Sequence, residues 1–216
     1  RSRDKTLTAR RDGFSCLAHD SNLNYLVAGT LRGSITITDC ESGAYVRSHT
    51  LADDDVRGAR SIEVEANNIF CSYGNGSVTA IDVRTCKSSF LNFKAHDDKC
   101  TRVRCIEKTQ QFITSSIDGT VKIWDSRKIE RSAMQIRSYY IDDTQMSKSF
   151  KNRVPSYSIN DFDVIGKSCF VATNSQGIGI IDVDVDATED DAVKLETRPI
   201  DHDKNNTIAI QILPRS

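Results

Sequence analysis

His96 to Asp125 reads HDDKC TRVRCIEKTQ QFITSSIDGT VKIWD. Its last third sets the pattern for the whole chain. Phe112-Ile-Thr-Ser115 is apolar and small, Asp118-Gly119 is a strong hairpin dipeptide, and Val121, Ile123 and Trp124 resume apolar alternation up to Asp125. That is strand, tight turn, strand.

The same unit occurs on both sides. Leu26-VAGTLRGSITIT-Asp39, Ile69-FCSYGNGSVTAI-Asp82 and Cys169-FVATNSQGIGII-Asp182 align with Phe112-ITSSIDGTVKIW-Asp125. Asp39, Asp82 and Asp125 stand 43 residues apart, and so do Gly33, Gly76 and Gly119. Two landmarks sharing one period mark an internal repeat. From Asp125 to Asp182 the spacing is 57, so 14 extra residues fall in between, assigned to Lys128–Ser156. Gly177 sits one place late in the fourth copy. Asn75-Gly76 and Asp118-Gly119 predict two-residue turns with both residues at positive φ, and Arg32-Gly33 is weaker chemistry for the same turn.

A strand is predicted before each hairpin, at 14–17, 60–64, 101–106 and 159–164, and an outer strand after each aspartate, as at 44–47 and 88–93. A fifth inner strand is expected at 207–213. No segment has a convincing amphipathic helical period. Each unit is therefore about four short antiparallel strands.

A four-stranded unit of this length ending in Trp-Asp resembles a β-propeller blade of the WD-repeat family. The resemblance implies an all-β propeller, with blades at about 10–52, 53–95, 96–157 (insertion 128–156) and 158–201, and partial strands at 1–9 and 202–216. The seven-bladed ring usual for this repeat length needs about 300 residues, so further blades are expected from a longer polypeptide or a second chain. An open arc would otherwise expose strand edges and apolar faces. The resemblance also implies a structural tetrad at His96, Thr114, Asp118 and Trp124. An indole N–H can donate to a hydroxyl, which can pass a hydrogen bond to an imidazole and on to a carboxylate. The other units depart from it, with Thr38, Ile81 and Ile181 at the Trp position and Arg32, Asn75 and Ser175 at the Asp position. His96 is preceded by Ala95 rather than the family's usual glycine, and Asp201-His202 looks like another entering loop.

Three features point outward. Asp82-Val-Arg84 and Asp125-Ser-Arg127 repeat an Asp-x-Arg motif, which resembles that of WD-repeat substrate receptors of cullin-RING ubiquitin ligases, where the arginines face the adaptor subunit. A guanidinium fork suits bidentate capture of carbonyls or carboxylates. The hairpin turns and entering loops put Arg32, Tyr73, Asn75, Arg102 and Ile117 forward for partner contact. The 128–153 stretch is basic and contains Tyr139-Tyr140, which suggests a partner loop or RNA contact in a nuclear, RNA-processing or ribosome-assembly complex. The acidic run Asp182 to Asp191 begins like a calcium loop, but Ala187 and Val193 occupy the positions that need Gly and Glu, so no metal is expected there.

Composition narrows the field. The 216 residues carry 29 basic and 30 acidic side chains and a net charge of −1, which disfavours a nucleic-acid binder held by bulk charge. No apolar run approaches a membrane span, and the basic Arg1–Arg11 leads into no secretory signal. Seven cysteines without a CxxC pair read as reduced, mostly buried thiols of a cytoplasmic or nuclear protein. The four histidines are dispersed, and no nucleophile–base set, phosphate loop or metal cluster is visible. The expectation is a non-enzymatic interaction scaffold with protein partners, no cofactor and no membrane association.

Overall fold

The computed structural model describes residues 12–50, 57–85, 89–106, 109–126, 134–140, 158–166, 168–173, 177–182 and 198–199. They form four antiparallel sheets of four strands, each in simple sequence order. The first sheet is β1 (Phe14–Asp20), β2 (Tyr25–Thr30), β3 (Ile35–Asp39) and β4 (Tyr45–His49). The second is β5 (Ala59–Glu65), β6 (Asn68–Tyr73), β7 (Ser77–Asp82) and β8 (Ser89–Lys94). The third is β9 (Cys100–Cys105), β10 (Gln111–Ser116), β11 (Thr120–Asp125) and β12 (Met134–Tyr140). The fourth is β13 (Ile159–Ile165), β14 (Ser168–Thr173), β15 (Gly177–Asp182) and β16 (Arg198–Pro199).

The first strands β1, β5, β9 and β13 lie side by side, and each sheet's second strand packs on the first strand of the next. Radiating four-stranded sheets around their innermost strands are propeller blades, as the repeat implied.

Period-2 alternation explains why the strands are apolar throughout. Neighbouring residues point to opposite faces, and each face meets a different blade. Ile69 and Ile81 of the second sheet join Val27, Ile35 and Ile37 of the first in one core, while Phe70, Val78 and Ala80 join Val103, Phe112 and Trp124 of the third in the next. A third core unites Ile113, Val121 and Ile123 with Ile159, Phe162, Cys169 and Val171.

The hairpins differ from the expected turn. Only Gly33, Gly76 and Gly119 take positive φ (87°, 87° and 83°), and Arg32, Asn75 and Asp118 do not. Each glycine N–H instead closes a turn onto the carbonyl three residues back, at Thr30, Tyr73 and Ser116. Side chains supply the rest. Asn75 Oδ1 accepts from the Ser77 N–H at 3.0 Å, and Asp118 Oδ1 accepts from the Thr120 N–H at 2.9 Å. In the first blade Thr30 Oγ1 accepts from the Ser34 N–H. Because only the glycine must be left-handed, arginine is tolerated before it.

The insertion is also revised. Met134–Tyr140, which includes Tyr139 and Tyr140, pairs with β11 as the outer strand of the third blade. Within 128–156, that segment is blade rather than inserted loop. Arg127, the run 183–191, Asp201-His202 and the strand expected at 207–213 lie outside the described residues.

Candidate functional site

The entering loop before β9, the hairpin after β10 and the end of β11 meet at His96. Trp124 Nε1 donates to Thr114 Oγ1 at 2.8 Å, and Thr114 Oγ1 lies 2.7 Å from His96 Nε2. His96 Nδ1 lies 3.2 Å from Asp118 Oδ2 and 2.9 Å from Thr120 Oγ1. With the indole donating to Thr114, the Thr114 hydroxyl donates to Nε2, and Nδ1–H points at Asp118. Thr120, whose hydroxyl also reaches Asp118 Oδ1 at 2.6 Å, is a fifth member that sequence reading missed.

His96 is 1% exposed, Thr114 0% and Trp124 4%. Burial lowers the His96 pKa from 6.5 and outweighs the Asp118 hydrogen bond that would raise it, so the ring is neutral at pH 7. Burial alone would raise the Asp118 carboxyl, but hydrogen bonds from His96 and Thr120 hold it well below the usual carboxylate range. A His, a hydroxyl and an Asp here make no triad. The Thr114 oxygen is engaged on both sides and faces the blade interior, so the chain of bonds fixes the loop to the strand.

Trp124 also ties two blades. Its ring meets Phe93 of β8 edge-on at 4.7 Å and Phe112 at 6.4 Å, and Phe112 meets Phe70 at 5.0 Å. Beside it the Ala95 and His96 N–H groups donate to the Gly76 carbonyl, and a Cβ on Gly76 would collide with the carbonyl oxygens of His96 and Asp98. One blade's hairpin thus rests on the next blade's entering loop.

The two ends of the blades differ. One carries the hairpin turns and the starts of the first strands. The other carries the turns between first and second strands together with the Asp-x-Arg segment. There Asp82 holds Arg84 in a fork: Nε reaches the two carboxylate oxygens at 3.0 and 3.2 Å, and Nη2 reaches Oδ2 at 2.6 Å. The Arg84 side chain is 65% exposed. The Arg84 hydrogen bonds lower the Asp82 pKa to about 2, so the pair stays ionised at neutral pH.

The other expected contact residues divide. Arg32 is exposed, its backbone N–H held by Asp12. Ile117 and Asn75 are half-buried at hairpin turns, Asn75 occupied in its own turn. Tyr73 corrects the expectation. It is fully buried in the core between the first two blades, with its hydroxyl 3.2 Å from Thr79 Oγ1, because its place at the end of β6 points inward. Arg102 is tied to the next blade, donating Nη1 to Asp161 at 2.6 Å. Next to it Arg104 spans three blades, 2.8 Å from Asp163 and 3.2 Å from Glu63. Burial raises the Glu63 pKa against the pull of Arg104.

Among the described residues, no group of histidines, cysteines and carboxylates is arranged to hold a metal, and no helix is long and apolar enough to cross a membrane. Burial raises the thiol pKa of Cys71, Cys105 and Cys169, and that of Cys100 to about 12, so these four are poor nucleophiles.

Residues 84–125 match the family model of the WD domain, G-beta repeat. A 118-residue stretch is 27% identical to the DDB1- and CUL4-associated factor 11 homolog of Caenorhabditis elegans, covering 52% of this chain and 21% of that protein. The homolog of Caenorhabditis briggsae matches to the same extent. The match spans about a fifth of the length of these curated relatives. Among solved structures, the computationally designed Ika4 protein superposes with a TM-score of 0.63 at 16% identity, covering 83% of this chain and 96% of that one. The Cps50 (Swd1) β-propeller domain of Myceliophteria thermophila gives 0.63 at 14% identity, over 82% and 54% of the two chains. U3-55K gives 0.62 at 16%, over 78% and 46%. At these identities the likeness is one of fold.

Proposed function

Because the chain carries a WD repeat on propeller blades, we propose that it is a non-enzymatic protein-interaction platform, and specifically part of a substrate receptor of a cullin-RING ubiquitin ligase. The observation that carries the specific reading is the Arg84 guanidinium at the blade rim, exposed and aligned by Asp82. A fork already held in one geometry loses less entropy when it captures a partner's carbonyl or carboxylate. Arg127 repeats the motif one unit on, and the partial match to proteins named for DDB1 and CUL4 supports the same reading. Such a receptor works in the cytoplasm or nucleus.

Capture tests it. Tagged chain expressed in cells should retain DDB1, and an Arg84→Ala/Arg127→Ala double variant of equal abundance should lose it. Retention of DDB1 by the double variant, or its absence from the parent, would remove the ligase assignment.

A further inference from the structure

One position at the Asp-x-Arg end breaks the repeat. Cys40, Val83 and Ser126 each donate the backbone N–H to the residue just before the second strand of their blade, at the carbonyls of Asn24, Asn67 and Gln110, over 2.9, 2.8 and 2.8 Å. The three bonds are equivalent, so the next residue of each blade is equivalent too: Glu41, Arg84 and Arg127. The first blade carries an acid where the following two carry a cation.

The aspartates before them differ accordingly. Asp82 turns its carboxylate to Arg84. Asp39 caps its own turn, accepting from the Ser42 N–H at 2.7 Å and the Ser42 hydroxyl at 2.6 Å, while the Gly43 N–H closes onto the Asp39 carbonyl at 2.9 Å. The Ser42 hydrogen bonds lower the Asp39 pKa, so the carboxylate is ionised at neutral pH. Glu41 sits on this fixed turn, is exposed, and has no ion-pair partner among the described residues.

Blades are near copies of one another. A rim that offered only repeated arginines would fit its partner in more than one register, because a shift by one blade would exchange one guanidinium for the next. A carboxylate ahead of the arginines removes that freedom, since like charges facing each other across an interface repel.

We propose, resting on the ligase-receptor reading, that Glu41 is a specificity-determining residue of this rim, seating a lysine or arginine of the adaptor and so fixing which blade faces which part of it. The adaptor surface that fits has a cation opposite the first blade and carbonyl or carboxylate acceptors opposite Arg84, one blade on. Shifted by one blade, Glu41 would face those acceptors.

Biolayer interferometry of the full chain on immobilised DDB1 at low salt tests this, with variants of unchanged circular dichroism. Glu41→Gln should weaken binding by about two- to fivefold, the worth of one exposed ion pair. Glu41→Arg should weaken it by about tenfold or more, mainly through slower association, and high salt should shrink both differences. Arg60 is the second residue of β5, which puts it at the hairpin end, away from this rim. Arg60→Glu therefore changes charge elsewhere and should leave binding unchanged. Glu41→Arg is the decisive variant, because it completes an Asp-x-Arg in the first blade. Binding as tight as the parent's, or tighter, would mean that any arginine on the rim is favourable and would overturn the proposal. So would Glu41→Gln binding as the parent does. A parent that does not bind DDB1 overturns the ligase reading and this inference with it. A parent that binds beside an equally competent Glu41→Arg overturns the inference alone.

Discussion

The same three positions behave differently on the first blade and on the other three. Phe14 is 51% exposed, while its counterparts Ala59, Cys100 and Ile159 are 1%, 0% and 0%. Leu17 is 61% exposed against 5%, 0% and 0% for Ile62, Val103 and Phe162. Leu26 is 36% exposed, whereas Ile69, Phe112 and Cys169 are sealed. Every residue in these sets is apolar, so the neighbour decides: blades two to four each have a preceding blade against this face, and among the described residues the first does not. A blade cannot bury both its faces alone, which is why repeat proteins are stable as arrays. The repeat length led to the expectation of further blades, in this polypeptide or another, and this face is where one would pack.

Substitutions along the face put the comparison to the test. The largest effect belongs to Phe112→Ala, which empties a fully buried ring site between the second and third blades. It should cost about 3–5 kcal/mol in urea denaturation. Trp124→Ala removes the same seam's second ring and the donor to Thr114, and should cost about 3 kcal/mol or more. An unchanged melting temperature in that variant would refute the role given to the tetrad.

Acid should loosen the same covered face. The folded pKa of His96 lies below its unfolded 6.5, so in that interval the unfolded chain binds more protons and stability rises with pH. Stability should therefore fall as pH drops below about 6.5, and fall again below 3.8 as the Asp118 contribution is lost. A His96→Gln variant should lack the first of these losses. Least affected is Leu26→Ala on the open face, expected to change stability by about 0.5 kcal/mol or less. A cost near that of Phe112→Ala would mean the face is covered in solution.

Much of this was legible in the sequence. The 43-residue spacing of Asp39, Asp82 and Asp125 follows the repeated four-stranded sheets, and His96, Thr114, Asp118 and Trp124 meet in the third; strand and turn lengths fix that spacing, whereas the residues at the turn and Trp positions vary from unit to unit. Thr120 was not legible. A threonine two places after a turn aspartate is ordinary until His96 is folded against it. The Glu63–Arg104–Asp163 tie was hidden by turn length. These residues share one inner-strand position, yet Glu63 lies seven residues before its strand partner Phe70 and Arg104 nine before Ile113. Tyr73 was misplaced because a hairpin-end tyrosine reads alike whether it faces the partner surface or the neighbouring blade.

We propose that the Asp-x-Arg end of the blades is a rim for a ligase adaptor, separate from the hairpin end. Immobilised DDB1 should bind the purified chain and its Arg60→Glu variant equally, and fail to bind Arg84→Ala/Arg127→Ala of unchanged circular dichroism. Equal binding by all three, or loss confined to Arg60→Glu, would contradict it.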